Sequence, residues 1–141
     1  QQLLHYNYEI VAQFIFRSFL VYAPNEADEL LKKGYIFNYS DAIRLPFKEF
    51  LSRYFAREGY KDGFHGLILS MLMAFYHFAI FVYIWEKNKF VDEKSYKMEN
   101  LDKELKDTGR ELKFWITKKY VEEEKNRIKK FALKLKQKLN K

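Results

Sequence analysis

Three histidines and a scatter of carboxylates are the residues here whose types could do chemistry, and their spacing limits what they can do together. His5, His65 and His77 lie far apart in the chain, so no paired-histidine ligand motif exists. There is no cysteine, hence no disulfide framework and no thiolate metal site. No serine–histidine–aspartate arrangement and no glycine-rich phosphate loop is present. His5 sits beside Tyr6 and Tyr8, His65 reads as a turn residue and His77 as a helix-packing residue. Glu122, Glu123 and Glu124 form a charge run that reads as a solvated face.

The charge pattern narrows the partners. The chain has 141 residues, one domain's worth or a piece of something larger, with a net charge of +7. The basic excess is concentrated toward the C-terminus, where lysines alternate with apolar residues at helical spacing. No recognition motif accompanies them, so nucleic acid is not an expected partner. Tyrosine and phenylalanine number 11 and 14, too apolar a content for a disordered tail. The first residues, QQLLHYNYEI, lack a basic n-region and a clean apolar core, so no signal peptide is expected there, and the missing initiator methionine points to an excised chain.

The elements that must position any site read as all-α. Ile10, Val11, Phe14, Ile15 and Phe19 form a helical stripe within 7–23. A short helix is expected over 24–34, with Pro24 in its first turn and Gly34 closing it. Residues 35–43 read as a connector that could run extended, and Pro46 is expected to open an amphipathic helix through Glu58. One face of that helix carries Phe47, Phe50, Leu51, Tyr54 and Phe55; Arg53 and Arg57 supply positive charge, with Lys61 following. Gly59 is expected in the left-handed position past its end and Asp62 as the cap of the next helix. With Gly63 they form a helix–turn–helix corner at 59–63. Gly66, Ser70, Ala74 and His77 then recur at spacings of four, four and three, a face suited either to close helix packing or to a buried core. After residue 88 comes a long charged helical extension. Met98, Leu101, Leu105, Thr108, Leu112 and Trp115 form a heptad-like seam, with Gly109 the expected weak point. Either a coiled coil or amphipathic helices folded onto the body satisfies that pattern. The chain thus divides into linker helices (1–43), an amphipathic-plus-apolar module (44–87) and a basic helical extension (88–141).

Residues 66–85 carry no formal charge. Twenty helical residues span about 30 Å, the hydrocarbon thickness of a bilayer. In-plane attachment, a true span and a buried core helix all remain open at this point. The basic aromatic helix before the segment suits the headgroup region and so favours membrane lipid as a partner.

Residues 45–87 resemble the C-terminal region of bacterial family-2 glycosyltransferases of the lipopolysaccharide-core and cell-envelope type. The matching residues are Pro46, Arg53, Tyr54, Phe55, Gly59, Asp62, Gly63, Gly66, Ala74, Phe75, Tyr76 and Trp85. A looser likeness begins at residue 3, and none covers 88–141. The family's catalytic core is an α/β nucleotide-sugar domain with an Asp-x-Asp metal motif, and this chain contains neither. The resemblance therefore implies a membrane-associating and assembly region, inactive alone, whose full enzyme acts on a cell-envelope or lipid-linked acceptor. It implies a place at the cytoplasmic face of the inner membrane, peripheral or monotopic. It also implies Mn²⁺ or Mg²⁺ in that enzyme, with His5 as one ligand. The alternative is a non-enzymatic helical scaffold, a homo-oligomer formed through 66–85 or 98–139.

Overall fold

The computed structural model describes residues 10–91 and 96–139. Helices account for nearly all of them, and no strand occurs among the described residues. Helix α1 (Val11–Ile15) runs through a π-helical stretch (Phe16–Tyr22) directly into α2 (Ala23–Lys32). Pro24 stands in the first turn of α2 as expected, but no break in the helical path separates α2 from the stretch before it. The wide turn ends on the Ala23 N–H, which donates to the Ser18 carbonyl, and Pro24, which has no N–H to donate, follows at once. Gly34, at φ 83°, closes α2 as expected. The Tyr35 N–H reaches the Leu30 carbonyl and the Gly34 N–H reaches Leu31, both at 3.0 Å, which is the Schellman pattern.

Helix α3 (Tyr39–Leu51) starts seven residues before Pro46, where a connector was expected. Asn38 caps it, its side chain accepting from the Ser40 N–H at 2.9 Å. Pro46 therefore lies inside the helix, where a proline normally costs a hydrogen bond. Burial of Ala42, Pro46 and Leu51 against the rest of the chain offsets that cost. A π-helical stretch (Ser52–Ala56) and a 3₁₀ turn (Gly59–Asp62) lead into the central helix α4 (Gly63–Lys87).

The core lies where α2 and α3 pack along the C-terminal half of α4. Ala23 and Ala27, one turn apart and fully buried, let α2 approach Tyr76, Ile80, Phe81 and Ile84 closely. The Tyr76 hydroxyl donates to Glu26, and Lys87 pairs with Asp28 at 2.8 Å. Helix α5 (Met98–Glu123) then crosses α3, and α6 (Arg127–Leu139) packs on α5. Gly109 does not break α5. The break falls at Glu124, whose backbone is extended. The extension folds onto the body as amphipathic helices.

Candidate functional site

The corner between α3 and α4 is present but built differently from expectation. Glu58, not Gly59, occupies the left-handed conformation, at φ 61° and ψ 24°. Gly59 is constrained by space instead: a Cβ there would lie 2.9 Å from the Arg53 carbonyl oxygen. Asp62 makes no side-chain cap. Its φ of −84° and ψ of 12° depart from the extended geometry that aims a capping carboxylate at the first turn. Gly63, at φ 60° and ψ −136°, makes the turn that only glycine takes cheaply. Lys61 pairs with Glu58 on the exposed side. That contact pulls the Glu58 carboxyl below its ordinary range and raises the Lys61 ammonium.

The small face of α4 packs on its own chain. A Cβ at Gly66 would stand 1.9 Å from the Gly59 carbonyl oxygen. Buried Ser70 donates back to the Gly66 carbonyl at 2.7 Å. Ala74 and His77 are half-buried, with His77 Nε2 3.8 Å from Glu49 Oε1. The structure thus brings Gly59, Gly66 and Ser70 together within one joint.

The residues expected to face a membrane divide. Leu51 is only 3% exposed. Phe50 stacks on Tyr54 at 5.5 Å, and Phe55 stacks on Trp115 of α5 at 6.0 Å. Arg53 is engaged by Glu49. Only Phe47, Arg57 and Lys61 remain outward. The aromatic face of α3 and the turn after it is covered because α5 lies across it. The joint is fastened by Lys119, which donates to the Tyr60 hydroxyl at 2.7 Å and sits 4.0 Å over its ring. That hydrogen bond raises the Lys119 ammonium above its usual range. His5 lies outside the described residues.

On another face, α4 presents an outward apolar stripe that the sequence reading passed over. Phe64, Ile68, Met71, Phe75, Phe78, Val82 and Trp85 are all exposed, at alternating spacings of four and three. Phe75 is 52% and Phe78 46% exposed. The signal was available: these are bulky apolar positions that recur at helical spacing, on a row of their own beside that of Gly66, Ser70, Ala74 and His77. Phe47, Met71, Phe75, Phe78 and Leu105 also line a groove of about 520 Å³ between α3, α4 and α5, almost wholly apolar. The helix is long and apolar enough to cross a membrane by length and composition, and only 28% of its most apolar window is buried in the fold. One side of this helix is buried in the fold, and its other side is left exposed. No group of three or more histidine, aspartate or glutamate side chains able to hold a metal occurs among the described residues. No known protein family, curated protein or solved structure matches the chain.

Proposed function

We propose that this chain docks on a membrane through the outward face of α4, as the membrane-associating and assembly region of a nucleotide-sugar-dependent glycosyltransferase. The docking half of this reading is carried by one observation: an uncharged apolar stripe is exposed at every step from Phe64 to Trp85. An exposed apolar surface of this extent is what lipid or a partner protein covers. The transferase half rests on the likeness of residues 45–87 to that family. Its place at the cytoplasmic face of the inner membrane, and a lipid-linked or cell-envelope acceptor, come with that likeness.

In-plane attachment fits better than a span. Glu26 is hydrogen-bonded to Tyr76 near the middle of α4, and Asp28 pairs with Lys87 at its end. A transbilayer α4 would carry these α2 carboxylates into or beside hydrocarbon, at high cost. With α4 lying in the interface, α2 stays on the aqueous side and only the bare stripe enters lipid. The role is positional: holding a sugar-transfer site near a lipid-bound acceptor converts a search in solution into a local one. On this reading the chemistry belongs to another part of the enzyme, and turnover of a nucleotide sugar by this chain alone would overturn it.

The test is flotation with phosphatidylcholine vesicles. The parent chain floats with them, and the double variant Phe75→Glu, Phe78→Glu stays behind with unchanged helical circular dichroism. Equal flotation of the two, or a parent chain that ignores vesicles, overturns the docking proposal. Because the stripe is uncharged, this binding is insensitive to salt.

A further inference from the structure

We infer that α6 is a second membrane contact, one that selects anionic lipid. It is a separate element from the α4 face, and the inference does not require α4 to touch lipid. Residues Arg127, Lys129, Lys130, Lys134, Lys136 and Lys138 make α6 basic, and it contains no acid. Ile128, Phe131 and Leu135 are 81%, 65% and 50% exposed. Their spacing of three and four places them on one helix face. Lys129 and Lys134, both exposed, fall on either side of that face at helical periodicity. An apolar strip edged by lysines is the arrangement that inserts shallowly among anionic headgroups.

The start of the helix is well defined. The Asn126 side-chain oxygen accepts from the Ile128 N–H at 3.0 Å and the Lys129 N–H at 3.3 Å. The Glu124 carboxylate accepts from the Asn126 N–H at 2.8 Å. The turn holding α6 against α5 is therefore capped rather than frayed. Half-buried Leu133 lies toward Tyr120 of α5, opposite the exposed strip. A helix docked along one side can offer only the other. That shape suits a flat surface, whereas a protein that wraps a basic amphipathic helix in a groove needs it free on more than one side. The charge fixes the surface chemistry: negative headgroups, with the lysines held near the interface.

The experiment uses the full chain on two vesicle types, phosphatidylcholine alone and phosphatidylcholine mixed with phosphatidylglycerol. The parent binds the anionic vesicles more tightly, and high salt removes the difference. Lys129→Gln with Lys134→Gln lowers the anionic affinity about 25-fold, since each basic group near such a surface is worth about fivefold, and leaves phosphatidylcholine binding unchanged. The Phe75→Glu, Phe78→Glu variant shows the converse, losing phosphatidylcholine binding while keeping the salt-sensitive anionic component. Failure of the α4 reading and failure of the α6 reading therefore look different. Equal affinity of the parent for both vesicle types overturns the inference. So does a lysine variant that binds anionic vesicles like the parent, or capture of α6 by an acidic protein with no anionic-lipid preference.

Discussion

Two alanine substitutions with identical chemistry are expected to have opposite effects. In a helix interior, replacing glycine by alanine ordinarily stabilises by up to about 1 kcal/mol, because the unfolded chain loses freedom and the helix gains propensity. Gly109 lies inside α5 with nothing within 4 Å of an added Cβ, so Gly109→Ala should realise most of that gain. Gly66 lies in the first turns of α4, where the new Cβ would stand 1.9 Å from the Gly59 carbonyl oxygen, 2.8 Å from its carbon and 3.1 Å from Asp62 Cβ. The obstacle is backbone, so no rotamer change relieves it, and the 3₁₀ turn must retreat by ~1 Å against α4. Overpacking of this kind costs roughly 1–3 kcal/mol, more than the propensity gain. We expect Gly66→Ala to destabilise by about 2 kcal/mol and lower Tm by about 5–10 °C, with Gly109→Ala raising Tm by a few degrees. Urea unfolding followed by helical circular dichroism measures both; equal m-values exclude a change in the compactness of the unfolded state as the cause. If Gly66→Ala is neutral or stabilising, the tight joint between Gly59 and Gly66 does not exist.

Two other outcomes are open to direct measurement. Tyr35 donates to Asp41 at 3.0 Å, and burial followed by that hydrogen bond pushes its hydroxyl up to about 12. A raised folded-state value means that this contribution to stability is complete below about pH 10 and is lost as pH rises from there toward 12. Because Tyr35 is only partly buried, screening holds the loss to about 1 kcal/mol; the parent should lose more stability than Tyr35→Phe between about pH 9 and pH 11, and parallel curves would refute this. At the end of α4, Lys89 takes φ 59° in the position that Gly34 fills after α2, with the Phe90 N–H reaching the Trp85 carbonyl at 3.0 Å. Lys89→Gly should therefore raise stability by about 1 kcal/mol and Gly34→Ala should lower it by a similar amount, both read as shifts in Tm.

The helices were legible where pattern and punctuation agreed, and lost where packing overrode them. The uncharged run 66–85 became the body of α4, and Gly34 closed α2 in the expected geometry. Pro46 misled because proline usually opens a helix, yet here Asn38 capped the chain earlier and α4 supplied enough contact to carry a proline inside. The stripe of Ile10, Val11, Phe14, Ile15 and Phe19 was read with a regular period. The π-helical turn at Phe16–Tyr22 inserts extra residues per turn and shifts the phase of the stripe there; Ser18 is buried, whereas Ile10, Val11 and Ile15 are exposed. The corner was found from its residue types, but its conformations were permuted: the positive φ belongs to Glu58 and Gly63, because Gly59 had to yield space to Arg53 and Gly66. For the candidate face, the sequence pattern put the membrane-facing residues on α3 and the turns after it, and the structure leaves only Phe47, Arg57 and Lys61 of them outward. An aromatic stripe on α3 looks the same in sequence whether α5 lies over it or not.

The distribution of buried side chains gives the molecule an order of disassembly. Ile84 is the one large side chain among the described residues that is completely enclosed, and it sits with Ala23, Ala27 and Ile80 between α2 and α4. Helix α5 buries only Thr108, Thr117 and Val121, and leans on the body through the Phe55–Trp115 stack and the Lys119 hydroxyl contact. Backbone hydrogen bonds in α5 and α6 accordingly open at lower free energy than those of α2 and the C-terminal half of α4. A partly opened state that has shed α5 and α6 but kept α2 on α4 would uncover Phe50 and Phe55, doubling as the form most prone to self-association in water.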